Sequence, residues 1–183
     1  MTWFLMALSL ALTPDAAEPS VAASPGAPIA GWYSEHVEYM TRDGGRWEAS
    51  NAEHRSDDEP FETYVVIFSP VFGGTGMSGR LFGINDGEDS VDFWQFRGYW
   101  DPANAIGRLE QFGWGGAVGR GDIAPEDDHL LAVQEFLAPG APPRIEKHEF
   151  VVIDADTHIT PTYRIEPDGT QTPGRSYTWR RVR

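Results

Sequence analysis

Amide, guanidinium and imidazole groups that interrupt apolar stretches are the side chains of this sequence best suited to chemistry. Gln95 and Arg97 alternate along the chain with Phe93 and Tyr99 on the same predicted face, so polar and aromatic groups are mixed there. Burying an arginine is costly unless an amide or a carboxylate satisfies it, and polar clusters among aromatic side chains orient ligands in small-molecule cavities. The alternative is that such positions form the solvated face of two-faced strands. We predict a ligand-binding set made of Gln95, Arg97, Tyr99, Gln111, His148 and Tyr177.

Carboxyl groups near these positions leave an enzymatic function open. A barrel hydratase, isomerase or cyclase would need an acid–base pair facing one cavity, with burial raising the pKa of the carboxyl group. Nucleophilic catalysis has no support, because the chain has no cysteine and Ser78 lacks the glycine pattern of a nucleophile elbow. The candidates for the acid–base pair are Glu110, Glu135, Glu149 and His148.

The five histidines do not follow the spacing of a metal site. No His-x-x-x-His pair is present, so we predict no metal centre and assign no cofactor. His148 and His158 lie on strands that we expect to be adjacent, where cross-strand contact would bring the two rings together. Such a pair could ligate haem or relay a proton, and the alternative is two hydrogen-bonded structural histidines.

Composition limits the partners of the chain. Its 183 residues suit one domain, and 28 acidic against 14 basic residues give a formal net charge of −14. An acidic surface repels phosphate backbones and anionic lipid headgroups, so nucleic acid is excluded as a partner.

The N-terminal segment has the features of an export signal. An apolar run over residues 3–12 is too short to span a bilayer, and the small residues Val21, Ala22 and Ala23 are suited to a signal peptidase. We predict a signal peptide over 1–23, a linker over 24–31 and a barrel domain over 32–183. The mature protein would then be periplasmic or secreted, without membrane insertion after cleavage. Because no Lys or Arg precedes the apolar run, a cytosolic protein with an apolar N-terminus is the alternative.

Turn clusters and period-two alternation describe the elements that position these residues. Sequences such as Asn85-Asp86-Gly87 favour hairpin turns, and the runs between the turns alternate apolar with polar residues. Only Ser34–Met40 suggests a short helical turn, with Ser34 as its cap. We predict an all-β, antiparallel up-and-down β-barrel of about ten strands, lipocalin-like in form. The strands are placed near 46–51, 62–70, 77–84, 90–100, 105–113, 116–123, 129–138, 143–153, 157–166 and 175–182.

Three segments carry a family resemblance: FWQFRGYW (93–100), QFGWGGAVG (111–119) and RSYTWRR (175–181). They resemble a bacterial lipocalin-like (calycin-type) β-barrel family, a domain of unknown function. The resemblance implies a small barrel with an internal cavity and carries no established activity. The Gly-x-Trp-x-Gly opening of many lipocalin- and nitrobindin-like barrels is missing, with only a partial match at Gly31-Trp32-Tyr33. The expected partner is a small apolar or amphipathic molecule, and the alternatives are a barrel enzyme, a haem-binding nitrobindin-like barrel and a purely structural or interaction module.

Overall fold

The computed structural model describes residues 28–183 as one α-helix followed by eleven β-strands. The helix α1 spans Gly31–Thr41. The strands are β1 (Arg46–Ser50), β2 (Thr63–Val71), β3 (Gly76–Asn85), β4 (Glu88–Asp89), β5 (Trp94–Asp101), β6 (Ile106–Gly113), β7 (Val118–Glu126), β8 (His129–Leu137), β9 (Arg144–Asp154), β10 (Thr157–Ile165) and β11 (Gln171–Arg181).

Ten of these strands close into a barrel. Each pairs antiparallel with its neighbour, and β1 also pairs with β11, where Trp47 lies opposite Arg181. The two-residue strand β4 extends one edge of β3, turning at Asp86 (φ 52°) and Gly87 (φ 80°) as the Asn-Asp-Gly sequence favours. Closure removes the exposed edges that an open sheet would present. The predicted all-β, antiparallel up-and-down barrel of about ten strands is confirmed.

Helix α1 closes one end of the barrel. Its buried residues Tyr33, His36, Val37 and Met40 recur at the spacing of one helix face, and that face packs onto the inner core. The helix is longer than the turn predicted over Ser34–Met40. It begins after Ala30, and neither Ser34 nor another side chain caps its start. We call this closed end the floor. The mouth is the opposite end, formed by loop 51–62 and the turns at 86–93, 114–117, 138–143 and 166–170.

Side chains from β1 and β11 bind the C-terminal end of α1. Trp47 Nε1 donates to the carbonyl of Met40 at 3.0 Å. The Arg181 guanidinium donates to the carbonyls of Tyr39 at 2.7 Å and Arg42 at 2.9 Å. The last carbonyls of a helix have no partner within the helix, so these bonds satisfy them and fix the helix on the barrel.

Glycines on the inner face make room for aromatic rings. A Cβ atom at Gly79 would approach the Phe68 ring to 2.5 Å, and one at Gly119 would approach the Phe136 ring equally closely. A side chain at either glycine would therefore collide with the neighbouring ring.

Within residues 28–183, no helix is long and apolar enough to cross a bilayer. The predicted signal peptide, 1–23, lies outside the described residues, as does the first half, 24–27, of the predicted linker, 24–31. Residues 28–30 have no regular secondary structure, and Gly31 begins α1.

Candidate ligand-binding site

A cavity of about 820 Å³ occupies the inside of the barrel. Its size falls in the range of pockets that enclose small organic ligands. Successive strands contribute their inward-facing residues, because alternate side chains of a strand point to the same face. Most of these residues are apolar or aromatic, and they include Tyr64, Val66, Phe68, Met77, Leu81, Phe93, Trp94, Phe96, Leu109, Ile123, Ala132, Phe136, Phe150 and Trp179.

Two histidines meet at the floor. His36 comes from α1 and His158 from β10, and both line the cavity. The Phe150 ring contacts both imidazoles, with centroid separations of 4.9 Å to His36 and 4.4 Å to His158. The Trp47 ring lies 4.5 Å from the His158 ring, so that imidazole is held in an aromatic pocket.

Burial keeps both imidazoles neutral. Desolvation lowers the pKa of His36 to about 4. Desolvation lowers the pKa of His158 to about 3, and repulsion from Arg181 and from the protonated form of His36 acts in the same direction. Burial also raises the pKa of Tyr33, which keeps its hydroxyl protonated. Within residues 28–183, the enclosed Nδ1 atoms of both histidines and the Tyr33 hydroxyl have no hydrogen-bond partner. The polar groups of the floor are therefore neutral, and these enclosed atoms are unpaired.

A pair of buried amides lies in the wall. Gln111 Nε2 donates to Gln134 Oε1 at 2.6 Å, and Gln134 Nε2 donates to the carbonyl of Leu109 at 3.2 Å. Gln111 lines the cavity, whereas Gln134 is fully buried. The pair reaches across β7, whose residues opposite the two glutamines are Gly119 and Gly121. These amides hold each other in place.

Ion pairs surround the mouth. Arg175 binds Glu59 of loop 51–62 through two hydrogen bonds of 2.6 and 2.7 Å. Arg144 Nε donates to Glu146 Oε1 at 2.5 Å, and His148 Nε2 lies 3.6 Å from Glu146 Oε2. The Tyr177 hydroxyl accepts from Arg175 at 3.2 Å and donates to Asn51 at 3.0 Å. Each of the two arginines therefore faces a carboxylate.

The structure divides the six predicted ligand-binding residues into two groups. Gln111, His148 and Tyr177 line the cavity. Gln95, Arg97 and Tyr99 are exposed on the outer face of β5, which corrects the expectation that they share the interior with the other three. The face was misassigned because Phe93 precedes β5 and reaches the cavity from the mouth, where its ring stacks on Phe61 at 5.4 Å. Within the strand itself, Trp94 and Phe96 face inward.

Arg97 belongs to a row of alternating charges on the outer face. Strand pairing places Arg97 opposite Glu110, Glu110 opposite Arg120, and Arg120 opposite Glu135. Opposite charges on neighbouring strands stabilise a sheet, which explains an arginine beside aromatic residues without any burial.

The predicted acid–base carboxylates are not gathered around the cavity. Glu110 and Glu135 stand in the outer row, with Arg120 Nε 3.8 Å from Glu110. Glu149 reaches the edge of the cavity, where Lys147 pairs with it at 3.0 Å. Only His148 of this set is an inward-facing side chain on the wall.

The expected contact between His148 and His158 is also corrected. His148 lies opposite Thr162 and His158 opposite Val152, so the two histidines are separated along the β9–β10 ladder. The neighbour of His158 is His36, which sequence reasoning missed because α1 was predicted only as a short turn. The spacing of Tyr33, His36, Val37 and Met40 is the signal that would have revealed an inward helix face. Within residues 28–183, no three His, Asp or Glu side chains are placed to hold a metal ion.

A closed barrel of ten antiparallel strands around a cavity defines a class of architecture, and it is consistent with the lipocalin-like fold. No protein-family model matches the chain, and no curated protein is similar to it in sequence.

Proposed function

We propose that the barrel binds a small, largely apolar or amphipathic molecule in its internal cavity. The observation that carries this proposal is the cavity of about 820 Å³ with its mainly aromatic and aliphatic wall. Transfer of apolar ligand surface from water to such a wall favours binding by about 5 kcal/mol for each 200 Å² buried, before the cost of association is subtracted.

The ligand enters and leaves at the mouth. Helix α1 fills the opposite end with Tyr33, Val37 and Met40, which are nearly inaccessible to solvent. At the mouth, loop 51–62 contributes Glu59 and Phe61 to the lining. A loop can move more readily than a helix packed into a core.

Two substitutions at adjacent positions test the proposal. Ala132 faces the cavity and is 4% exposed, whereas Val133 faces outward and is 39% exposed. Ala132→Phe fills part of the cavity, and we expect it to weaken binding of the neutral fluorescent probe N-phenyl-1-naphthylamine at least tenfold. Val133→Phe adds a ring outside and should leave the affinity unchanged. Thermal melting monitors folding of both variants. Saturable binding that Ala132→Phe leaves intact, or no saturable binding to the wild type, would contradict the proposal.

Haem is a second candidate, favoured by one observation. His158 offers a neutral imidazole on the cavity wall, which is the form that ligates iron. The residues fit haem only in part, because Arg144 and Arg175, which could neutralise propionate groups at the mouth, are already paired with carboxylates. A Soret band after reconstitution, lost in His158→Phe, would support haem over an apolar ligand. A spectrum of free haem would remove this candidate.

We further propose that the chain is a bacterial calycin-type barrel exported through its N-terminal segment. The support is the apolar run over 3–12 and the small residues before Ser24. The mass of the protein isolated from the periplasm would test this, since cleavage after Ala23 removes residues 1–23. Recovery of the full-length chain in the cytoplasm would contradict it.

A further inference from the structure

The polar groups at the floor differ from those at the mouth in charge. At the floor, His36, His158 and Tyr33 are 7%, 2% and 0% exposed, and each is held neutral by burial. At the mouth, the polar groups include formal charges, such as Arg175 with Glu59. A ligand that spans the cavity therefore meets two chemically different ends.

The ring of His158 borders the cavity. Its Nδ1 atom is enclosed by protein, while the residue itself lines the cavity. Because Nε2 lies across the ring from the Cβ attachment, on the edge away from the backbone, we take it as the atom that faces the cavity. No hydrogen bond to Nδ1 fixes the tautomer, so Nε2 can donate to a carbonyl or accept from a hydroxyl.

Two cations near the floor are committed elsewhere. Arg108, which lines the cavity, is paired with two aspartates. The Arg181 guanidinium lies 4.0 Å from the centre of the Trp47 ring, and its Nε donates to Asp156 at 3.0 Å. Its remaining nitrogens bind the carbonyls of Tyr39 and Arg42. A carboxylate brought to the floor would lose its hydration without gaining a free cation, which disfavours an anionic group.

We propose that the floor selects ligands whose apolar body ends in one neutral hydrogen-bonding group, a carbonyl or a hydroxyl, which bonds to His158 Nε2. This inference rests on the proposed binding function of the cavity and names the ligand class. His36 and Phe150 pack around the bonded group, and the aromatic wall encloses the ligand body.

Three ligands of matched shape test this selectivity: 2-ethylnaphthalene, 2-acetylnaphthalene and 2-naphthoate. Each competes with N-phenyl-1-naphthylamine for the full wild-type chain. We expect 2-acetylnaphthalene to bind about tenfold more tightly than 2-ethylnaphthalene, as one added hydrogen bond allows, and 2-naphthoate to bind most weakly.

Variants then locate the preference. His158→Phe should abolish the difference between 2-acetylnaphthalene and 2-ethylnaphthalene while 2-ethylnaphthalene still binds. His158→Gln keeps a neutral hydrogen-bonding group and should retain part of the preference. His54→Phe, at a histidine outside the cavity lining, serves as the matched control and should keep all of it.

The outcomes separate the two proposals. Equal affinities for the acetyl and ethyl compounds, or tightest binding of 2-naphthoate by the wild type, would overturn the selectivity of the floor while the cavity still binds. A preference that survives in His158→Phe would overturn the role of His158. Failure of the probe and of all three compounds to bind would instead overturn the proposed function.

Discussion

The guanidinium of Arg175 joins the last strand of the barrel to the loop over its mouth, because both of its terminal nitrogens bond the Glu59 carboxylate at 2.6 and 2.7 Å. The two residues are 116 positions apart in the chain. A bidentate arginine–carboxylate pair fixes orientation as well as distance, so it holds loop 51–62 in a defined place over the cavity.

Breaking this pair should loosen the loop. Arg175 and Glu59 keep 46% and 22% of their side chains exposed, which limits the contribution of the pair to about 1 kcal/mol. We expect Arg175→Gln to speed amide hydrogen exchange over 52–60 about fivefold and to quicken ligand release. Arg55→Gln is the matched control, since its partner Glu62 is more exposed than Glu59, at 49% against 22%. Equal exchange in the two variants would show that Arg175 does not hold the loop.

Acid should destabilise the protein before its carboxylates titrate. Histidine in the unfolded chain has a pKa near 6.5, whereas burial lowers the pKa of His36 to about 4 and is the main cause that lowers the pKa of His158 to about 3. Below pH 6.5 the unfolded chain takes up protons that the folded protein does not. The free energy of unfolding should therefore fall as the pH is lowered, by about 1.4 kcal/mol per pH unit for each histidine.

Denaturant unfolding at intervals between pH 7 and pH 5 measures this slope. The double variant His36→Gln/His158→Gln removes both titrating groups and should flatten it. His54→Gln, which leaves the buried pair in place, should keep the wild-type slope. An unchanged slope in the double variant would refute the assignment to His36 and His158.

The amide pair in the wall should show strong coupling. Gln111→Met leaves Gln134 Oε1 without its donor in a buried site, which costs about 1–3 kcal/mol. Adding Gln134→Leu removes the unpaired amide as well, so the double variant should recover part of the lost free energy of unfolding. Chemical denaturation of the two single variants and the double variant measures the coupling. Additive losses would mean that the amides do not depend on each other.

Close packing of β7 against β8 should make Gly121 irreplaceable. A Cβ atom there would overlap the carbonyl oxygen of Val133, which is backbone and cannot rotate away. We expect Gly121→Ala to lower stability by about 3 kcal/mol, in the range of an overpacked core. Gly31→Ala is the control, because a Cβ atom at Gly31 meets no atom within 4 Å. Equal melting temperatures for the two variants would contradict this.

The strands could be predicted because each carries its own signal. Alternation of apolar and polar residues needs no knowledge of neighbours, and turn residues such as Asp86 and Gly87 mark where a strand ends. Each of the ten predicted strands overlaps one of the strands that form the barrel. The confirmed fold class follows from this local information, since short hairpin connections leave few other topologies.

The site depended on relations between strands, which alternation does not encode. Along its own strand, Arg97 stands among aromatic residues, which suggests burial. Its neighbours across the sheet, Glu110 on β6 and then Arg120 on β7, explain its place on the outer face. The floor is formed by helix α1, whose start has no side-chain cap. Because that signal is missing, the sequence does not connect His36 and Tyr33 with the cavity. The inward positions of Gln111, His148 and Tyr177 could be predicted because each sits on an inward face that its own strand defines.

Pairing of β1 with β11 also determines when the protein can reach its native fold during synthesis. Strand β1 is among the first parts of the domain to be made, yet one of its two edges is satisfied only when residues near Arg181 arrive. Until then the nascent chain carries two open sheet edges, and the carbonyls at the end of α1 lack the arginine that binds them. The protein therefore folds late and in one step, when distant parts of the chain come into contact. Loss of the final strand would leave a polypeptide prone to associate with its own copies.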